Sequence, residues 1–238
     1  MDLKEEDILG RDILTHWYYR SKAKALLQYI EPSNCRSILD VGAGSGFFTK
    51  FLLKHTEASS GVCIDISYSE EWDQTIEGKT IRYRKSCGQT DCDIVLLMDV
   101  LEHVDDDVGL MAEYIAKVPS GTQFMITVPA FSFLWSNHDL FLDHRRRYTI
   151  SSLKKVINHA GLHMISISYY FGFVFPLAAA IRLPQKVLKG DKLEPKSNLK
   201  KHSLVTNSVL SALCTIELPF LRINRLAGLS VFCLCRKK

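Results

Sequence analysis

The run Ile38-Leu39-Asp40-Val41-Gly42-Ala43-Gly44-Ser45-Gly46-Phe47 concentrates chemistry: an apolar stretch ends on a carboxylate and opens into three glycines spaced GxGxG. Glycines so placed allow a tight turn and let a ligand lie against the backbone, and a helix starting just beyond offers free N–H groups. The spacing is one residue shorter than the GxGxxG of dinucleotide sites. Asp40 stands where its charge repels a diphosphate and attracts the ammonium of an amino-acid-like ligand. A second acid, Asp65, ends the next apolar run 19 residues after Gly46, a position suited to bonding ribose hydroxyls.

Three histidines follow later apolar runs: His103 after the fourth, His138 and His144 after the fifth. Imidazoles exchange protons near neutral pH, so these three are the candidate bases for a hydroxyl or amine. Asp99, Glu102 and His103 form a DxxEH group with the ligand types of a divalent-metal site. The acids just beyond, Asp105 to Asp107, suit a helix N-terminus, so Glu102 and His103 are read as capping or orienting that helix and no metal is assigned. Arg145, Arg146 and Arg147 offer forked donors for a phosphate or carboxylate, and Arg146 is placed with His138 and His144 on the substrate side.

The elements that must position these residues show in the hydropathy pattern. Ala23, Leu26, Leu27 and Ile30 recur at helical spacing and stop at Pro32. Short apolar runs at Ser37 to Val41, Gly61 to Ile66, Ile81 to Arg84, Asp93 to Met98 and Thr122 to Val128 alternate with helical stretches, the pattern of a parallel sheet wrapped by helices. Helices are predicted from Asp106 to Val118 and from about Ser151 with Thr149 or Ser151 as cap; Leu162 to Tyr169 reads as a sixth strand and Gly228 to Cys235 as a seventh. Between the last two lies an apolar and basic insertion, residues 170–227, with a further helix around Val205 to Leu218. Its apolar opening is too short and too interrupted by Pro176, Arg182 and Pro184 to span a bilayer.

The length suits one α/β domain covering residues 1–238. The seven cysteines are odd in number, scattered and mostly inside apolar runs, which suits reduced thiols. The first residues lack the pattern of a secretory signal, so a cytoplasmic protein is expected. From Tyr170 onward, 12 lysines and arginines face three acids, a net +9 within a total of +4, which leaves −5 for residues 1–169. Basic residues mixed with apolar ones make the insertion a candidate for peripheral contact with an anionic membrane at its inner face.

With HWYYR (His16 to Arg20), DVLEHVDDD (Asp99 to Asp107) and VPAFSFLWSNHDLFLDHRRRYT (Val128 to Thr149), the glycine loop resembles the class I S-adenosylmethionine (SAM)-dependent methyltransferases over most of the chain from Trp17. The three stretches are similar to a bacterial branch associated with lipid-linked glycan or quinone metabolism. The resemblance implies a Rossmann-like, seven-stranded, mostly parallel sheet with helices on both faces and a helical insertion between strands six and seven. It implies SAM as cofactor and S-adenosylhomocysteine as product. Asp40, Gly42, Gly44 and Gly46 would meet the methionine part, Asp65 and Ile66 the ribose, and Met98, Asp99 and Val100 the adenine or substrate. Trp17 and Arg20 would close over the cofactor.

A sulfonium methyl is already activated, so alignment with a small-molecule or lipid-linked acceptor, at oxygen, is the main task. An RNA-modifying methyltransferase is the alternative, but nucleic acid is disfavoured because the basic residues form no aromatic-interleaved platform. A nicotinamide-dependent dehydrogenase conflicts with the GxGxG spacing and Asp40. A non-catalytic SAM-binding module is the reading from another class.

Overall fold

The computed structural model describes residues 8–189, 194–197 and 202–238. Eight strands form one sheet: β1 (Ser37–Val41), β2 (Ser60–Ile64), β3 (Trp72–Ile76), β4 (Lys79–Arg84), β5 (Ile94–Met98), β6 (Gln123–Pro129), β7 (His163–Tyr170) and β8 (Ser230–Arg236). Their order is β3-β4-β2-β1-β5-β6-β8-β7. β4, β2, β1, β5 and β6 pair in parallel, while β3 and β8 run against their neighbours.

The expected seven strands are all present, and the eighth, β3, corrects the count. Four of its five residues are exposed, so it carries no apolar alternation to announce it. It is an edge strand joined to β4 through Glu77 and Gly78, both at positive φ (52° and 78°), the geometry of a tight hairpin turn.

The helices are α1 (Trp17–Leu27), α2 (Phe47–His55), α3 (Asp107–Lys117), α4 (Asn137–Phe141), α5 (Ile150–His159), α6 (Phe175–Lys189) and α7 (Leu204–Glu217). Two apolar layers cover the sheet. One joins α1, α2 and α7 through side chains such as Leu26, Phe48 and Cys214; the other joins α3 and α5 through Met111, Leu153 and Ile157. Of the two candidate caps for α5, Thr149 serves: its hydroxyl accepts from Ser152 N at 3.1 Å, and Ser152 Oγ accepts from Thr149 N at 2.9 Å. All seven cysteines are free thiols, six of them buried.

The insertion packs back onto the domain through α7. Asn207 accepts a bond from Trp17 N at 2.8 Å and donates one to Thr15 O at 2.9 Å, so one amide of α7 satisfies an orphan donor in the first turn of α1. Leu204–Ile223, the 20 residues of α7 and the turn after it, is long and apolar enough to cross a membrane by length and composition, and only 17% of its apolar stretch is buried.

Candidate functional site

The order of the sheet reverses at β1: β2 lies on one side and β5 on the other, which opens a crevice at the carboxyl ends of these strands. Gly42, Gly44 and Gly46 sit there with φ of 64°, 52° and 71°. A Cβ at Gly42 would lie 2.8 Å from Val100 Cγ2, and one at Gly46 would lie 2.9 Å from Tyr83 Oη. The loop is thus closed against its neighbours, and only glycine fits both the dihedrals and the space.

Acids surround this loop. Asp65 accepts from Gly44 N at 3.0 Å and Ser67 N at 2.9 Å, and Tyr68 Oη donates to Gly44 O at 2.6 Å. Asp40 is buried and accepts from Thr49 Oγ1 at 2.8 Å. Burial raises its pKa to about 6, with the Thr49 hydroxyl opposing the shift. Asp99, at the end of β5, has φ of 57°, a strained value for a side chain other than glycine.

The Asp99 carboxylate accepts from Thr127 Oγ1 at 3.1 Å and pairs with Lys22 of α1. Lys22 also donates to Tyr18 Oη at 3.2 Å. Burial alone lowers an ammonium's pKa, but Asp99 and Tyr18 outweigh it and hold Lys22 charged. The same pair keeps Asp99 ionised against its burial. Sequence reasoning missed Lys22. Its signal was present: a lysine one residue before Ala23 and four before Leu26, on the face of α1 that the periodicity buries.

On the substrate side the structure gathers residues from three loops. One cavity of about 430 Å³ is lined by Asp99, Glu102, His103, His138 and His144, by Trp17 and Tyr18, and by Leu177 and Ile181 of the insertion. This size suits a small-molecule site. All three predicted histidines therefore meet. His144 Nδ1 bonds Asp139 Oδ1 at 2.9 Å, and Arg147 grips the same carboxylate through Nε at 2.7 Å and Nη2 at 2.9 Å. Ser136 adds its N–H at 2.8 Å and its hydroxyl at 3.0 Å. Burial opposes the charge on Asp139, but His144 and Arg147 hold its pKa below the usual carboxylate range. The carboxylate contact takes a proton on Nδ1 and fixes the ring.

Several expectations are corrected. Glu102 and His103 do not cap α3; Asp106 does, accepting from Gly109 N at 2.7 Å. The two residues form a short turn of their own, Leu101–His103, whose Glu102 is fully buried. Arg146 does not line the cavity of His138 and His144: it donates to Asp105 O at 2.8 Å and pairs with Asp107 at 3.4 Å. Arg147 is the buried arginine of the run and is spent on Asp139.

Arg20 is exposed and lines a separate groove with Lys24 and Lys50. Two helical residues differ by about 200°, so Arg20 points away from Tyr18 and Lys22. Trp17 lines the histidine cavity. Met98 is a core side chain, and Ile66 is 90% exposed at the end of β2.

The crevice suits a ligand of net positive charge. Asp40, Asp65 and Asp99 lie at the carboxyl ends of β1, β2 and β5; Lys22 pairs with Asp99 and Lys50 donates to Ser45 O of the loop at 2.7 Å, so acids outnumber cations there, a field opposed to a diphosphate and favourable to a sulfonium carrying an ammonium.

Comparison with known proteins agrees. A family of methyltransferase domains matches residues 14–167. A SAM-dependent methyltransferase from Archaeoglobus fulgidus is similar in structure (17% identity, TM-score 0.54, covering 99% of this chain and 98% of that one). So are phosphoethanolamine N-methyltransferase 2 from Haemonchus contortus in complex with S-adenosyl-L-methionine (14%, 0.58, 98% and 55%) and a methyltransferase from Bacillus halodurans (14%, 0.56, 91% and 99%). At these identities the structural likeness establishes the fold. No curated protein matches in sequence.

Proposed function

The chain belongs to the methyltransferase-domain family, a SAM-dependent class of enzyme, and from that premise we propose that it methylates an oxygen of a small-molecule or lipid-linked acceptor held between the histidines and the insertion. One observation carries this reading. A single cavity has a polar floor of histidines and acids and an apolar wall from α6, so it fits a molecule with a polar reacting end and an apolar remainder.

When bound, SAM would supply an electrophilic methyl carbon, and its transfer to the acceptor oxygen would leave S-adenosylhomocysteine. The glycine loop and the Asp65 carboxylate would hold the cofactor. The hydroxyl proton passes to a histidine of the group His103, His138 and His144.

The insertion favours a membrane-associated source for the acceptor. Leu204, Val205, Ile216 and Phe220 are 86%, 74%, 60% and 54% exposed, and Leu177 and Ile181 of α6 are more than half exposed beside the cavity. This apolar face lies in the segment from Tyr170 onward that carries the net +9. On this reading the protein is cytoplasmic and sits peripherally on the inner face of a membrane, similar to the branch associated with lipid-linked glycan or quinone metabolism.

Calorimetry and labelled-methyl transfer test the two halves. SAM and S-adenosylhomocysteine should bind and NAD should not. Asp65→Ala should weaken SAM binding by roughly 10-fold to 150-fold, the loss of charge-assisted hydrogen bonds worth about 1.5 to 3 kcal/mol. Label should move from SAM into a lipid extract but not into RNA. Transfer to RNA alone would overturn the acceptor assignment.

A further inference from the structure

We propose that Glu102, His103 and His144 form a binding site for one divalent transition-metal ion at the floor of the acceptor cavity. Each residue offers a ligand atom, and these atoms all lie within 4.8 Å of one another. The two imidazole rings stand edge to face with centroids 4.8 Å apart. A shared ion at about 2.1 Å from each ligand draws the atoms to about 3.4 Å from one another, an approach that side-chain rotation provides.

Glu102 is the observation that points to a ligand. Its side chain is fully buried, and neither carboxylate oxygen has a hydrogen-bond partner among the described residues. A buried acid left in that state is costly, because its oxygens have lost water and gained nothing. A cation bound there relieves that penalty.

The second feature is the support behind His144. Asp139 binds its Nδ1 at 2.9 Å and is itself held by Arg147 and Ser136. A metal-bound histidine typically has this arrangement, with a carboxylate on one nitrogen fixing the ring and raising the basicity of the other. The surrounding charge is also compatible. Lys22 is paired with Asp99 and Arg147 with Asp139, Arg182 also lines the cavity, and neither oxygen of Glu102 has a hydrogen-bonded cation among the described residues.

Two imidazoles and one carboxylate are the ligands of ions such as Co2+, Zn2+ and Fe2+, with at least one position left open. The cavity opens onto that position. Binding of the ion is independent of the methyltransferase reading. Its use rests on that reading: an ion there would lower the cost of deprotonating a hydroxyl acceptor. His138, which lines the cavity outside the triad, would then be the base.

The test is titration of EDTA-treated, full-length protein with Co2+ in the absence of SAM, followed by calorimetry and visible absorption. One ion per chain should bind, with d–d bands and no thiolate charge-transfer band. Glu102→Gln and His144→Ala should each weaken binding at least tenfold, and Asp139→Asn by roughly 10-fold to 100-fold. His159→Ala, an exposed histidine on α5, should leave binding unchanged. Should the cavity variants misfold, paramagnetically shifted imidazole N–H resonances of the wild-type Co2+ protein should number two. Absence of binding, a thiolate band, or affinity indifferent to both cavity variants overturns the site. Because SAM binding is measured separately, a failed metal titration leaves the methyltransferase reading standing.

Discussion

Asp40→Asn should make the protein more stable at alkaline pH while weakening its cofactor site. Asp40 is buried at the end of β1, with Thr49 Oγ1 bonded to it at 2.8 Å. Its pKa rises from 3.8 to about 6 in the fold, chiefly because burial disfavours the charge. That shift of about two units corresponds to about 3 kcal/mol at 1.36 kcal/mol per unit. A raised carboxyl pKa means that the folded chain holds the proton more tightly than the unfolded chain. Below about pH 4 both states are protonated and the residue costs nothing. Between about pH 4 and pH 6 the unfolded state ionises first, so stability falls as pH rises, and above pH 6 the full penalty applies. Asparagine mimics the protonated form and can still accept from Thr49. Urea denaturation should therefore show Asp40→Asn more stable than wild type by up to about 3 kcal/mol at pH 8 and level with it near pH 4. SAM affinity should drop, because the charge facing the ligand is gone. A variant that is no more stable at pH 8, or whose advantage does not change with pH, would refute the reasoning.

Further outcomes follow from the same geometry. Gly46→Ala forces a Cβ to 2.9 Å from Tyr83 Oη and 3.1 Å from Cys63 Sγ at φ of 71°; SAM affinity and melting temperature should both fall, at a cost of roughly 1–3 kcal/mol for the strained backbone alone. Arg147→Ala strips the fork from the fully buried Asp139 and should destabilise the fold by about 3–5 kcal/mol, read by chemical denaturation. Tyr68→Phe removes the bond to Gly44 O at 2.6 Å and should cost about 1 kcal/mol of stability. In flotation with anionic vesicles, replacing Leu204, Val205 and Phe220 together by serine should release the protein from the membrane without altering SAM affinity; equal flotation would remove the membrane reading.

The parallel core was legible because its central strands are buried on both faces and read as apolar runs; Ile94 to Met98 is buried at every position. The glycine loop was legible because its conformation admits almost no other residue. β3 was not, since a polar edge strand leaves no hydropathy signal. The convergence of His103, His138 and His144 was inferable from strand order, because loops at the carboxyl ends of neighbouring parallel strands share one crevice. The roles inside that convergence were not. Three consecutive arginines look alike in sequence, yet Arg147 is buried on Asp139 while the half-buried Arg146 reaches Asp107 at 3.4 Å. Arg20 lies on the opposite face of α1 from Lys22, two residues away and about 200° around the axis, and only its spacing to Ala23 and Leu26 sets Lys22 apart in sequence from the other lysine of that helix.

The buried Lys22 bears on how the two halves of the site are tied. It reaches Asp99 from α1, and the first turn of that helix depends on Asn207 of α7 for a partner to Trp17 N. Tyr18, one residue on, stacks against Phe171 at the start of the insertion with ring centroids 5.1 Å apart. The wall of the acceptor cavity and the charge that fixes Asp99 are therefore carried by one packed unit, although about 190 residues separate its parts in sequence. Asp99 sits in a strained conformation that only its surroundings can enforce. Loss of the contact between α7 and α1 would thus reach Asp99 at the end of β5 as well as the wall of the histidine cavity, which ties the insertion to the proposed site rather than leaving it an appendage.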